Sequence, residues 1–441
     1  MQKTLFIKLI LISALSLLLL IPLSMISGKV TERQWYRNSV QREISESWTG
    51  AQTLRGPLLV VPYIEKTRSR VWDKELEKYV DRVNTHDREL YFFPQQLDVD
   101  VNVNTEERYR GIYAVPVYTA VLQISGDFRI PGGFNIETTR DIRWQHAFLS
   151  LGVGDVRGIR DGLDLQWQEQ QRAFTPGSGI MPFAHGVRAD LGRIYSASEQ
   201  SYRFKINLKL AGTEELNIIP VGGNTRVTMQ SAWPHPGFTG RFLPESRTIN
   251  DKGFDAVWAV SHFSTNIEDA FNACVNRECG AFENNHFGVS FRQPVDVYSL
   301  TDRAIKYGIL FITLTFGVFF LFEILKRMAI HPVQYGLVGL ALAVFYQLLI
   351  SLSEHMVFDI AYLIAASASI ALITFYVCYV LRSVIRGLGF GAVLSLLYGM
   401  LLVILKSEDN SLLMGSALVF MALAAAMFLT RNVDWYRLGE K

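Results

Sequence analysis

Residues 307–325 read YGILFITLTFGVFFLFEIL, with a single acidic side chain, Glu323, and no basic one. A hydrocarbon core about 30 Å thick takes roughly 20 apolar residues per helix. The stretch therefore predicts a membrane span. Four more of similar length follow toward the C-terminus: Val333–Leu352, Ile360–Leu381, Leu388–Leu405 and Leu412–Leu429. Only short polar connectors separate them. At the opposite end Leu9–Ile26 stands alone, with Pro22 near its far end, where neighbouring helices can satisfy the freed carbonyl.

Between these regions Lys29–Arg303 has the mixed composition of a water-exposed chain, and it holds most of the charged residues that make up 19% of the sequence. The pattern predicts a polytopic α-helical membrane protein with six transmembrane helices, one N-terminal and five C-terminal, and a large β-rich periplasmic domain. The expected divisions are an anchor at 1–28, a β-rich domain at 29–303, a five-helix domain at 304–430 and a cytoplasmic tail at 431–441. A cleaved signal peptide is the competing reading of the first span, since Lys3 and Lys8 give it a basic start. Its apolar run exceeds the usual signal core, and Ser24-Met25-Ile26-Ser27-Gly28 matches a cleavage site poorly.

Connector charge sets the orientation. Lys326 and Arg327 lie in one connector, Arg382 and Arg386 in another, and Arg431, Arg437 and Lys441 follow the last span. The alternate connectors carry Glu354, His355 and Asp359, then Lys406, Glu408 and Asp409. The more basic set faces the cytoplasm, which puts both termini inside and the middle domain in the periplasm. A net charge of +2 gives no reason to expect nucleic acid as a partner.

Beyond Gly56-Pro57 the middle region reads as strands. Leu97–Val103 alternates Leu, Val, Val, Val with Asp and Asn, separating two faces. Similar runs occur at Leu58–Tyr63, Ile112–Ile130, Tyr202–Leu210, Thr225–Met229, Phe254–Phe263 and Phe287–Phe291, with turn signals at Pro131-Gly132-Gly133, Pro176-Gly177 and Gly222-Gly223-Asn224. They predict a β-sandwich or a pair of β-rich lobes.

Signatures of catalysis are missing from the sequence: no G-x-S-x-G, no H-E-x-x-H and no G-x-x-x-x-G-K-[ST]. No enzyme activity, cofactor or metal is expected, because the eight histidines lack ligand spacing. Gly152-Val153-Gly154-Asp155-Val156-Arg157-Gly158 resembles a phosphate loop, but its last glycine falls one residue late, and a tight turn is the better reading. Trp233-Pro234-His235-Pro236 is either a binding loop or a rigid corner with Trp233 packed inward, since two prolines hold it extended. Glu354, His355, Glu408 and Asp409 either converge as a polar cluster between helix hairpins or cap helices and sit among headgroups, with Asp409, Asn410 or Ser411 capping the last helix. Glu323, close to Lys326 and Arg327, is expected to snorkel to the interface. Gly387 and Gly391 form a small-xxx-small packing pair. Cys274 and Cys279 either form a small disulfide loop in an oxidising compartment or stay as thiols.

Several segments taken in order resemble the CreD family of bacterial inner-membrane proteins. They are Gly56-Pro57-Leu58, Glu107-Arg108 with Gly111-Ile112-Tyr113, Gly154–Ile159, Trp233–Pro236 and Phe242-Leu243-Pro244. Leu300–Ala304 with Lys306-Tyr307, His331-Pro332 with Gln334-Tyr335, Leu352–His355 and Arg431–Tyr436 complete the set. The resemblance implies a cell-envelope integrity protein linked to a two-component response, colicin tolerance and β-lactam susceptibility. It names no reaction. The leading expectation is a non-enzymatic protein in the lipid bilayer whose periplasmic domain binds an envelope protein or cell-wall component. The alternative is a transporter or lipid-handling protein gated by that domain.

Overall fold

The computed structural model describes residues 2–431 apart from 74–77, 137–140, 162, 196, 292–296, 327–329 and 408–409. The chain forms two compact units, residues 1–39 with 295–441, and residues 40–294. Their sequence edges fall at 39/40 and 294/295, some ten residues from the expected 28/29 and 303/304. The expected tail at 431–441 lies outside the described residues from 432 onward.

Two N-terminal helices, α1 (Gln2–Leu18) and α2 (Leu20–Ser47), are separated only at Leu19. Pro22 explains the interruption: its ring presses on the carbonyl four residues back and it donates no hydrogen bond. The ladder nevertheless continues across it, Leu19 N to Leu15 O at 3.1 Å and Leu23 N to Leu19 O at 3.4 Å. Leu19, Leu23, Ile26 and Val30, spaced by four, three and four, form the buried stripe. The helix outlasts its apolar sequence, which is why the first edge lies later than hydropathy places it.

In the 40–294 unit, hydrogen bonding joins sixteen strands among the described residues into one sheet. Only two ladders are parallel: Gln52–Asp73 with Glu215–Ile218, and Gln96–Arg110 with Asn224–Ser231. Fourteen of the strands follow one path, and Lys78–Phe92 and Asp141–Trp144 join Gln52–Asp73 off it. Its two ends meet through side chains, Phe287 against Trp258 at 5.3 Å and Phe238 against Trp258 at 5.8 Å between ring centroids. One buried cluster thus serves the whole path. Gln96–Arg110 follows the alternation read from sequence: Leu97, Val99, Val101 and Val103 are buried while Asp98, Asp100 and Asn102 face water. A polar ribbon escapes that reading, since Lys78–Phe92 pairs along Gln52–Asp73 and has no alternation to announce it.

Helices α3 (His262–Thr265), α4 (Ile267–Val275) and α5 (Gly280–Glu283) complete this unit. The strand expected over 254–263 ends at Ser261, whose hydroxyl accepts the Phe263 N–H and starts α3. A disulfide joins Cys274 to Cys279 across the α4–α5 connection. Arg55 clamps α5 to the sheet with two 2.8 Å bonds to Glu283.

The other unit contains α6 (Val297–Lys306), α7 (Gly308–Lys326), α8 (Pro332–Ser353), α9 (Phe358–Val380), α10 (Val384–Lys406) and α11 (Ser411–Thr430). Among the described residues five helices are long and apolar enough to cross a membrane, and α6 with α7 forms a further pair bent by 45°. His331 and Gln334 form a capping box at the start of α8, with Pro332 in the first turn. Large apolar side chains such as Ile385 and Phe420 stand fully outside, as lipid solvent permits and water does not. Gly387 and Gly391 bring α10 onto α9: a Cβ at either would lie 2.2 Å from Cys378 Sγ or 2.4 Å from Thr374 Oγ1.

Candidate binding site

A cavity of about 560 Å³ opens in the 40–294 unit, lined in part by Arg42, Ser45, Glu46, Asp155, Arg157, His185 and Glu214. Behind the lining residue Asp155 stands Gln52, which is fully buried. The Gln52 carboxamide accepts the Asp155 N–H at 3.0 Å and donates to the carbonyls of Asp155 and Ala211 at 3.1 and 3.0 Å. Glycine is needed around it. A Cβ at Gly154 would lie 2.7 Å from Ala51 O, and one at Gly158 only 2.4 Å from Gln52 Nε2. The glycine-rich 152–158 segment is accordingly a turn, with a short 3-10 helix at Val156–Gly158.

Asp155 caps that turn by accepting the Arg157 N–H at 2.9 Å, and its carboxylate also binds the Arg157 guanidinium at 2.7 to 3.1 Å. This hydrogen bonding holds the Asp155 carboxyl below its usual range and the guanidinium above its own. The remaining guanidinium nitrogen donates to Glu46 O at 2.8 Å, joining the turn to the end of α2. That end is fixed from below by Ile44, which packs on Val115 and Val117. Beside it the Ser45 and Thr213 hydroxyls bond each other at 3.0 Å, and Thr213 donates to the Thr49 carbonyl at 3.0 Å. The guanidinium groups of Arg108 and Arg160 lie over the Trp48 ring, 4.8 and 4.6 Å from its centroid. Glu214, at φ +63°, accepts from Gln41 at 2.6 Å.

The result is a braced, open pocket with both signs of charge on its wall. Among the described residues no group of three His, Cys, Asp or Glu side chains converges to hold a metal ion. Sequence reading reached the Asp155–Arg157 turn but treated it as a connector. Arg42, Ser45, Glu46 and Glu214 gave no signal, because they come from distant parts of the chain.

The residues singled out by sequence lie elsewhere. Trp233–Pro236 connects two strands and bends at Pro234; Trp233 is half-buried against the core and donates to His235 O at 2.9 Å, while His235 is exposed. Glu354 is drawn into the helical unit, 3.2 Å from Arg33 Nε, and accepts from Tyr298 at 3.3 Å, whereas His355 is exposed. Glu408 and Asp409 lie outside the described residues. Asn410 occupies the N-cap of α11 without a side-chain cap bond. Lys406 instead pairs with Asp359 at 2.7 Å, linking the end of α10 to the start of α9.

Glu323 departs from its expected snorkelling. Its buried carboxylate pairs with Lys8 of α1 and accepts from Tyr335 at 2.9 Å and from the Ile330 N–H at 3.3 Å. The nearby Lys326 and Arg327 suggested an outward carboxylate; an internal cation satisfies it instead. Lys8 and Arg33 stand 25 residues apart on the N-terminal helices, roughly 37 Å at the rise of an α-helix. Two tyrosine-assisted ion pairs thus bracket a length close to that of a membrane span.

Residues 4–436 match the family described as Inner membrane protein CreD. The chain is 36% identical over 438 residues to Inner membrane protein CreD of Escherichia coli (strain K12), covering 99% of this chain and 95% of that protein. An M1 zinc metallopeptidase from Deinococcus radiodurans aligns over 38% of each chain at 13% identity with a TM-score of 0.21, too low to support any argument. With its apolar helices and a match along nearly its whole length, the chain belongs to the CreD family of multi-pass inner membrane proteins.

Proposed function

We propose that this chain is a non-enzymatic cell-envelope integrity protein whose 40–294 unit lies in the periplasm and binds an envelope protein or cell-wall component in the Asp155–Arg157 cavity. The observation that carries the reading is the braced pocket itself. Charged groups of both signs are held around an open volume by a buried glutamine and close-packed glycines. Such pre-organisation lowers the ordering cost of binding a polar partner. The envelope stress response, colicin tolerance and β-lactam susceptibility implied by the family resemblance belong to this reading.

Orientation rests on sequence charge. Six crossings result when the bent α6–α7 pair counts as one span, and the basic connectors then share the cytoplasmic side with both termini. Single cysteines introduced in the exposed 66–72 ribbon test this in whole cells. A membrane-impermeant maleimide should label them without lysis; labelling only after lysis refutes the orientation. Arg157→Ala should reproduce the envelope phenotype of a deletion while the protein still accumulates in the membrane. A fully complementing Arg157→Ala variant removes the cavity from the account.

The transporter or lipid-handling alternative draws its support from one feature. Buried Glu323 and Tyr335 with part-buried Lys8 form an ionic group in the helical unit, where such groups commonly mark pathways. Reconstituted full-length protein that moves a solute or lipid, and stops doing so with Glu323→Gln, would favour it over the binding reading.

A further inference from the structure

The polar side chains inside the helical unit are not all accounted for by protein partners. Tyr346 of α8, Tyr362 of α9 and Tyr398 of α10 are each at least 98% buried. They gather around Phe345, whose ring lies 4.9, 5.5 and 4.7 Å from theirs. Tyr362 donates to the Tyr398 carbonyl at 2.7 Å. The hydroxyls of Tyr346 and Tyr398 have no hydrogen-bond partner among the described residues. Buried Ser369 is the polar side chain beside the Tyr398 hydroxyl.

A second, independent feature meets the cluster. The α6–α7 helix pair breaks and bends by 45° at Tyr307. Gly308, the first residue after the break, abuts Tyr346: a Cβ there would lie 3.4 Å from the tyrosine Cζ and 3.2 Å from Leu23. Phe311, one turn further on, rests edge-on against Tyr398 at 4.6 Å. A broken helix within an apolar bundle is a recurrent setting for an internal polar site.

A buried hydroxyl without a partner is costly, and apolar neighbours could have been Phe at no loss of packing. Two such hydroxyls on different helices, beside a helix break, each need a hydrogen-bond partner. We propose that the helical unit contains a hydrated site at the α6–α7 break, walled by Tyr346, Tyr398 and Ser369, with water as its resident ligand. The wall consists of neutral hydroxyls, so the site suits water or another small uncharged hydrogen-bonding molecule. A carboxylate or ammonium group would need a countercharge there. The helical unit then does more than hold the other unit at the membrane: it carries a defined internal polar chamber.

Tyr335 is an internal control. It is equally buried, but its hydroxyl is satisfied by Glu323. X-ray radiolytic footprinting of the full chain in nanodiscs oxidises buried side chains next to bound water. Tyr346 and Tyr398 should be modified several-fold faster than Tyr335. Equal rates for all three overturn the proposal. In Tyr346→Phe, modification of Tyr398 should fall to the Tyr335 level while the variant elutes as the parent does. Tyr398→Phe, read at Tyr346, is the reciprocal experiment. Undiminished modification of the remaining tyrosine in both variants excludes a shared site.

Discussion

The two units use polarity in opposite directions. In the 40–294 unit Val99 and Val101 point into the core while Asp98 and Asp100 meet water. In the helical unit Ile385 and Phe420 point outward, and Glu323, Ser369 and Tyr346 are inside. One chain thus folds against two solvents. Burial of apolar surface organises the β-rich unit. Among the helices that force is weak, and close approach at Gly387 and Gly391 and internal polar bonds take its place.

Matched truncations sharpen this contrast most. Trp258→Ala removes a fully buried ring at the meeting of the sheet ends and should lower the stability of the β-rich unit by about 3–5 kcal/mol. Phe420→Ala, on an outward helix face, should leave the thermal midpoint of the detergent-solubilised protein nearly unchanged. Comparable losses would erase the distinction between the units.

The Lys8–Glu323 pair gives the next largest effect. Lys8→Leu strands a buried carboxylate and should cost about 3 kcal/mol, read as earlier unfolding in a detergent titration. Adding Glu323→Leu should recover most of that loss, because both charges leave together. A double variant as weak as the single one contradicts the pairing.

Replacing Cys274 and Cys279 by alanine opens a five-residue separation and should cost about 2 kcal/mol in the chain-entropy model. Alkylation of the unreduced native protein should leave both cysteines unmodified. Rapid labelling of either would show that the bond is not present in the membrane.

The smallest effect is at the cavity rim. Asp155→Asn should cost less than about 1 kcal/mol, since the Arg157 side of the ion pair is open to water. The carboxyl is held low by Arg157, so its stabilising contribution is complete above the ordinary aspartate range. It fades as pH falls through the lowered folded value. The asparagine variant should lose that acid-side slope and behave like the parent only at the lowest pH. An unchanged slope would mean that Asp155 is not held low.

What could be read from sequence followed the strength of local periodicity. Leu97–Val103 declared its strand because every second side chain is apolar, and the apolar stretches declared their helices by length. Lys78–Phe92 did not, because its partner strand and not its own pattern fixes it. The cavity was half legible: Asp155 and Arg157 stood in a conspicuous glycine-rich turn. Arg42 and Glu214 arrive there only through the long-range pairing of α2 and the sheet. The inward turn of Glu323 is hidden from local sequence for a related reason: its partner Lys8 is 315 residues away.

The central claim is that the cavity of the β-rich unit binds an envelope component. A photoreactive side chain at exposed His185, on the cavity wall, tests it in intact cells. The account predicts one discrete envelope adduct, identified by mass, that disappears in Arg157→Ala. Illumination that yields no adduct, or the same adducts with and without Arg157, would contradict it.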